Sequence, residues 1–248
     1  MTIETRIYRL TGRTPTLGSQ PASKQVRRQW IAERAVNKKG KTPEEIQALI
    51  DEENELLGVT DDNKVLREAP TCFLRDDHNG GRIFIYDYVV KGFFKGALEA
   101  LKGELGVAAY RGKVDRLLFV GPRILYIMRD GEPLIDEDGF CQRSLRADTP
   151  QGQRTALAES EMVNDPWEIE FELALIPNDG TARSKPLTWE AIETCLDYGK
   201  LSGLSQWRNA GYGRFTWERL EKLDPDAGRE AGGSFLTDQT DSALEMYA

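Results

Sequence analysis

Hydrophobic and polar positions alternate most regularly in one stretch, where Trp167, Ile169, Phe171, Leu173 and Leu175 interleave with Glu168, Glu170 and Glu172. A period of two is the signature of a strand with one buried and one wet face, so this stretch is expected to be a half-buried strand. Residues 3–10 read as a first strand, and 12–21 are rich in turn formers. Helical periodicity follows over 23–36. A second helix is marked at both ends: Thr42 and Glu45 form a capping box, Pro43 takes the first helical position, and Gly58 closes the far end. Together they predict a helical insertion over about 22–58, after the first strand.

Residues 71–75 and 82–86 are expected as strands around a turn holding Asp76, Asp77, His78 and Asn79-Gly80, a dipeptide that favours hairpins. A helix over 87–102, strands over 116–120 and 123–128, and an irregular segment over 131–163 come next. Thr188 caps a helix reaching about Leu201, and a glycine-rich segment leads to a last strand over 213–220. The pattern is that of an α+β fold spanning 1–224. Residues 225–248 are polar, glycine-bearing and acidic, which predicts a flexible tail.

Composition narrows the class. With 248 residues and 40% hydrophobic positions, the chain can bury a sizeable core. No apolar run approaches the ~18 residues of a membrane span, the start carries no signal-peptide pattern, and no membrane partner is expected. Cys72, Cys141 and Cys195 are odd in number and widely spaced, which fits three reduced thiols in a cytoplasmic protein and no metal cluster. The net charge of -8 argues, on average, against nucleic acid. That average conceals a basic front, from Arg6 to Lys41, and an acidic end after Glu218. Such asymmetry suits head-to-tail association of like subunits, or a tail that covers a basic groove.

Two segments carry a family resemblance. The first is Gly203-Leu204-Ser205-Gln206-Trp207-Arg208-Asn209-Ala210-Gly211-Tyr212-Gly213-Arg214-Phe215, between a helix and the final strand. Glycine lets a backbone approach a phosphate, successive N–H groups form an anion-binding nest, Arg208 and Arg214 supply charge, and Trp207 and Tyr212 offer stacking faces. The second spans 86–101, with Lys91-Gly92-Phe93-Phe94-Lys95-Gly96-Ala97-Leu98 within it. At ~100° per residue, Lys91, Lys95 and Lys102 fall within ~40° of one another. Val89, Phe93, Ala97, Ala100 and Leu101 take the opposite side, which predicts a lysine stripe facing out.

These segments resemble the C-terminal glycine-rich loop and the lysine-glycine-alanine-leucine helix start of the RAMP superfamily, the RNA-gripping backbone subunits of CRISPR effector complexes, most of all the type III backbone subunits. Glu68-Ala69-Pro70 through Arg75-Asp76 resembles a further stretch of that family, and 131–163 sits where the family carries a thumb hairpin. The leading Pro-Gly-Ser-Ser of the family's helix start is absent, and the helical insertion and acidic tail are departures. The resemblance implies a ferredoxin-like (RNA-recognition-motif-like) fold and a cytoplasmic antiviral ribonucleoprotein. Its subunits coat single-stranded guide RNA as a helical oligomer, beside other effector subunits. The residues it implies for RNA are Lys91, Lys95, Lys102, Arg143, Arg146, Arg154, Gly203, Trp207, Arg208, Asn209, Gly211, Tyr212, Gly213 and Arg214. The ligand is RNA or single-stranded DNA.

In family members that cut RNA, an Asp precedes the proline of that further stretch, where this chain has Glu68. The extra methylene displaces the carboxylate from an in-line cleavage geometry. The expected protein is therefore non-catalytic, without cofactor or metal. The enzyme alternative is an endoribonuclease that holds Mg2+ or Mn2+ with Glu68, Asp76 and Asp77. A third class is a structural or decoy protein that joins or blocks a CRISPR-like filament. His78, the single histidine, reads as an exposed turn residue, and no P-loop, dinucleotide fingerprint or nucleophile elbow is present.

Overall fold

A computed structural model describes residues 3–21, 71–149, 152–180, 184–224 and 226–229. The expected helical insertion and Glu68 lie outside the described residues, as does the tail from 230 onward. The described chain is mixed α+β, with mainly antiparallel sheets. It divides into two compact units, one of Met1–Thr16, Phe84–Leu134 and Asn164–Ala248, the other of Leu17–Ile83 and Ile135–Val163. No helix among the described residues is long and apolar enough to cross a membrane.

The main elements up to residue 134 are β1 (Glu4–Gly12), β2 (Arg82–Tyr86), α1 (Asp87–Ala100), α2 (Tyr110–Leu117), β3 (Leu118–Gly121) and β4 (Ile124–Tyr126). The hairpin β5 (Gly139–Thr149) and β6 (Gly152–Val163) belongs to the second unit. The chain then forms β7 (Glu168–Leu175), α3 (Trp189–Asp197), β8 (Phe215–Leu220) and β9 (Gly228–Arg229).

In the first unit β1 is the central strand. It runs antiparallel to β7 from Glu4↔Leu175 to Thr11↔Glu168, and antiparallel to β8 from Ile7↔Leu220 to Gly12↔Phe215. β3 pairs antiparallel with the far edge of β7, which sets the spatial order β3-β7-β1-β8. α1 lies between β1 and β3 in the chain, and α3 between β7 and β8. Tyr8, Leu10, Ile169, Phe171, Leu173 and Phe215 are buried on one face of this sheet, together with Phe93, Phe94 and Leu98 of α1 and Ile192 and Leu196 of α3. Each such side chain contributes about 1.5–3 kcal/mol on burial. The Phe93 and Phe215 rings meet edge-on with centroids 5.1 Å apart, which fixes α1 over the start of β8. Thr188 caps α3 as expected, its Oγ1 accepting from Ala191 N at 3.2 Å.

Several expectations change. β7 is more buried than expected: Glu170 is 1% exposed, with Arg9 and the chain at Asp224 laid against its carboxylate. Glu170 Oε1 accepts from Arg9 Nε and Nη2 at 2.8 and 2.6 Å, and its Oε2 accepts from Asp224 N at 2.9 Å. The buried carboxylate is thus satisfied in place. Four residues beyond Asp224, β9 pairs with β4. The helix expected over 87–102 ends at Ala100, and Lys102–Leu105 forms a separate turn closed by Gly106 at φ +65°. Residues 116 and 117, expected as strand, close α2. α2 was hidden because its N-cap is Ala109, with no capping side chain, and Val114 is its one buried residue.

In the second unit, the segment expected to be irregular is a regular hairpin, paired from Gly139↔Met162 to Thr149↔Gly152. Its polar composition concealed it, since cross-strand hydrogen bonds rather than an apolar period define it. Glu161, buried on β6, accepts from Phe73 N at 2.9 Å and from Arg75 Nη1 at 3.0 Å. The turn at Asn79-Gly80 is built differently from a two-residue hairpin: Asp77–Asn79 form a 3-10 turn, and Gly80 and Gly81 take the positive φ values of +72° and +79°.

Replacing Glu170 by Ala leaves Arg9 and the Asp224 amide without their buried acceptor. We expect a loss of about 2–4 kcal/mol, near the range for breaking a buried pair, read as a lower urea midpoint. Glu168→Ala, at a half-exposed position of the same strand, is expected to cost under ~1 kcal/mol.

Candidate nucleic-acid interface

The glycine-rich loop of 203–214 is held by the chain leaving β1. Thr14 Oγ1 donates to Gly211 O at 2.8 Å and accepts from Arg214 N at 2.9 Å. Arg13 N donates to Arg214 O at 2.7 Å, and Gly213 N donates to Pro15 O at 2.8 Å. Thr14 O in turn accepts from the Nε1 of the buried Trp167 at 2.9 Å. Sequence reasoning missed Thr14. Its partners lie about two hundred positions away, so no local pattern marks it.

The loop glycines have distinct reasons. A Cβ at Gly203 would lie 2.1 Å from Tyr212 O, and one at Gly213 would lie 2.1 Å from Leu204 O. These two allow the loop to close on itself, where Leu204 N donates to Gly213 O at 2.8 Å. Gly211 has φ +91° and faces only the Arg214 guanidinium, 3.5 Å from a Cβ built there. The N–H groups of Ala210, Gly211, Gly213 and Arg214 all donate within the chain. The anion nest expected from successive loop amides is therefore not formed over 210–214. What the loop presents outward is side chains.

Trp207 and Tyr212 stack with centroids 5.3 Å apart and an interplanar angle of 16°, and Trp207 is 36% exposed. Trp207 holds a left-handed backbone at φ +56°, a conformation that costs free energy for a bulky residue and is kept only where surrounding bonds enforce it. Arg208 is half-buried and Asn209 exposed. The Arg208 guanidinium lies over α1, where a Cβ at Gly96 would sit 3.4 Å from its Nη1. The loop and the glycine-bearing helix therefore share one surface. The Arg214 Nε is buried without a hydrogen-bond partner among the described residues.

The lysines are placed otherwise than expected. The buried face of α1 is Val90, Phe93, Phe94, Ala97 and Leu98; Ala100 is exposed, and Val89 and Leu101 are half-buried. The apolar face is rotated from the expected one, so the lysine stripe lies on the flank toward α2 and β3. Lys95 pairs with Asp115 at 2.5 Å, and Lys91 Nζ lies 5.2 Å from the Phe119 ring centre. Burial lowers the Lys91 pKa, with Asp87 and Asp115 acting in the opposite direction. Lys102 is exposed. The outward strip between the lysines and Arg208 carries Gly92 and Gly103, where an added Cβ would meet nothing within 4 Å, and between them the exposed Glu99.

The remaining candidates lie in the second unit. Arg143 Nη1 donates to Ser160 Oγ at 2.8 Å, while Arg146 and Arg154 occupy register positions opposite Thr155 and Ala147 on the hairpin. Asp76 is fully buried and accepts from Asn79 Nδ2 at 3.1 Å, so its carboxylate serves the turn. Asp77 and His78 are exposed in that turn. Among the described residues, no three His, Cys, Asp or Glu side chains are grouped to hold a metal ion.

No family model matches the chain, and no curated protein matches it. Among solved structures it is similar to a chain of the type III-B Cmr-beta, determined by cryo-EM bound to cognate target RNA, at 12% identity and a TM-score of 0.42. The likeness covers 92% of this chain and 62% of the other, so this chain spans less than two thirds of that neighbour's length.

Thr14→Val keeps the shape of the side chain but strands Arg214 N and Gly211 O. It is expected to cost about 1–3 kcal/mol in chemical denaturation, whereas Thr14→Ser, which retains the hydroxyl, stays close to the parent. Equal stability of the Val variant and the parent would show that the loop is not held by this hydroxyl.

Proposed function

We propose that this chain is a non-catalytic single-stranded RNA-binding subunit of the RAMP backbone type. It coats guide RNA beside copies of itself and other effector subunits. The order β3-β7-β1-β8, antiparallel throughout and with α1 after β1 and α3 after β7, supports a ferredoxin-like reading of the first unit. The hairpin β5–β6 enters between β4 and β7 in the chain, the position of a thumb in that reading.

The observation that carries the RNA reading is Arg208 laid against Gly96. It brings a half-buried cation, next in the chain to the exposed Trp207, onto a helix whose outward strip carries open glycines and one exposed carboxylate, Glu99. Each helical glycine costs about 1 kcal/mol relative to Ala. Gly92 and Gly103 have no steric need inside the chain, and close approach of a sugar–phosphate backbone supplies one. The opposite sheet face is unsuited to RNA: it carries Glu168, Glu170, Glu172 and Glu218, with Arg9 already paired to two of them.

Binding of labelled single-stranded RNA over a range of salt concentrations tests this reading. Arg208→Ala should flatten the slope of log affinity against log salt by ~0.7. Trp207→Ala should cost ~1–3 kcal/mol with little change in slope. Lys95→Ala, which removes a lysine already paired with Asp115, should weaken binding less than Arg208→Ala does. Gly92→Leu should raise the melting temperature, since Leu is the better helix former, and yet weaken RNA binding. No RNA binding by the parent at low salt would overturn the proposal.

A further inference from the structure

A second cationic and aromatic cluster stands at the other end of α1. The Asp87 carboxylate at the helix start pairs with the Arg123 guanidinium, and Asp87 N donates to Arg123 O at 3.1 Å. The guanidinium carbon lies 4.7 Å from the Tyr86 ring centre and 5.5 Å from that of Tyr88. Those two rings are 5.3 Å apart, tilted by 31°. Tyr86 is buried and Tyr88 half-buried, while the Arg123 side chain keeps 41% of its area exposed. An arginine laid on rings is ordered in advance, so ligand binding costs it less conformational freedom. Its planar group can stack on a base with one face while its edge donates to a phosphate oxygen.

The cluster is placed to share a ligand with the glycine-rich loop. At ~100° per residue, Tyr88 lies ~40° from Gly92 and ~20° from Lys95 around α1, on the outward strip. From Tyr88 to Gly96, where Arg208 rests, is eight residues, ~12 Å along the axis. The path between passes the open Gly92. Between Asp87, paired with Arg123, and Glu99, α1 itself contributes no acidic side chain; Asp115 of α2 reaches this flank, where it pairs with Lys95.

Resting on the RNA reading above, we propose that Arg123 with Tyr88 is a second nucleotide-binding station, which stacks a base and contacts a phosphate of the strand that the Arg208–Trp207 station also holds. Tyr88 lies within the second segment of the resemblance but outside its lysine-glycine core, and Arg123, outside both segments, is brought to α1 only by the fold.

The test uses the full chain, a labelled oligouridylate and a salt series. Arg123→Ala should weaken binding at least about fivefold and flatten the salt slope by ~0.7. Arg123→Lys keeps the charge but loses the planar stack, so affinity falls while the slope holds. Tyr88→Ala weakens binding in the same way. A purely structural Arg123–Asp87 pair would lower the melting temperature and leave the affinity of the folded variants at the parental value, and that result overturns the proposal. If Arg208→Ala loses binding while folded Arg123→Ala and Tyr88→Ala keep it, the RNA reading stands and this inference falls. A parent that binds no oligouridylate ends both. Should the Arg123 variants fail to fold, 4-thiouridine cross-linking of the parent decides: adducts at Tyr88 support the second station, and adducts confined to 203–214 overturn it.

Discussion

Arg13, Thr14 and Pro15, where the chain leaves β1, are bonded to Gly211, Gly213 and Arg214 in both directions. This short crossing decides where the glycine-rich loop stands. The loop has little apolar anchorage of its own; Leu204 is its buried side chain, and Trp207, Asn209 and Ala210 are exposed. Buried Trp167 holds the crossing from beneath, against a Gly12 that leaves no room for a Cβ: one built there would lie 2.2 Å from the indole. With the loop set by β1 and α1 set by Phe93 against Phe215, Arg208 reaches Gly96 directly after Trp207, whose left-handed backbone turns the loop there.

That geometry divides the first unit chemically. One sheet face is covered by α1 and α3 through a continuous apolar layer. The other is acidic and crossed by the chain at Asp224, which Glu170 holds. The carboxylates of the second face disfavour a polyanion there. The net charge of -8 is an average over unlike surfaces: the sheet face gathers Glu168, Glu170, Glu172 and Glu218, whereas beside α1 the carboxylates Asp115 and Glu99 are offset by Lys95 and Arg111.

Much of this was legible in the sequence. β1, β2, the first turn of α3 with Thr188, and the loop between α3 and β8 follow from alternation, capping and glycine spacing, which act over a few residues. What escaped depends on distant partners. Glu170 has the pattern of a wet strand position but is buried, because Arg9 and Asp224 reach it from far along the chain. Lys91 and Lys95 have helical spacing that predicts exposure, yet Phe119 and Asp115 occupy that flank. The loop glycines suggested free amides, whereas Gly203 and Gly213 serve self-closure. Thr14 and Arg123 left no local trace at all.

Hydrogen–deuterium exchange of the full chain with and without single-stranded RNA tests the central claim most directly, because it maps the occupied face without substitutions. The account predicts that RNA slows exchange in 203–214 and along α1, and leaves β7 and the segment over it unchanged. Protection confined to β7 and β1, or no protection anywhere at RNA concentrations that saturate binding, would contradict it.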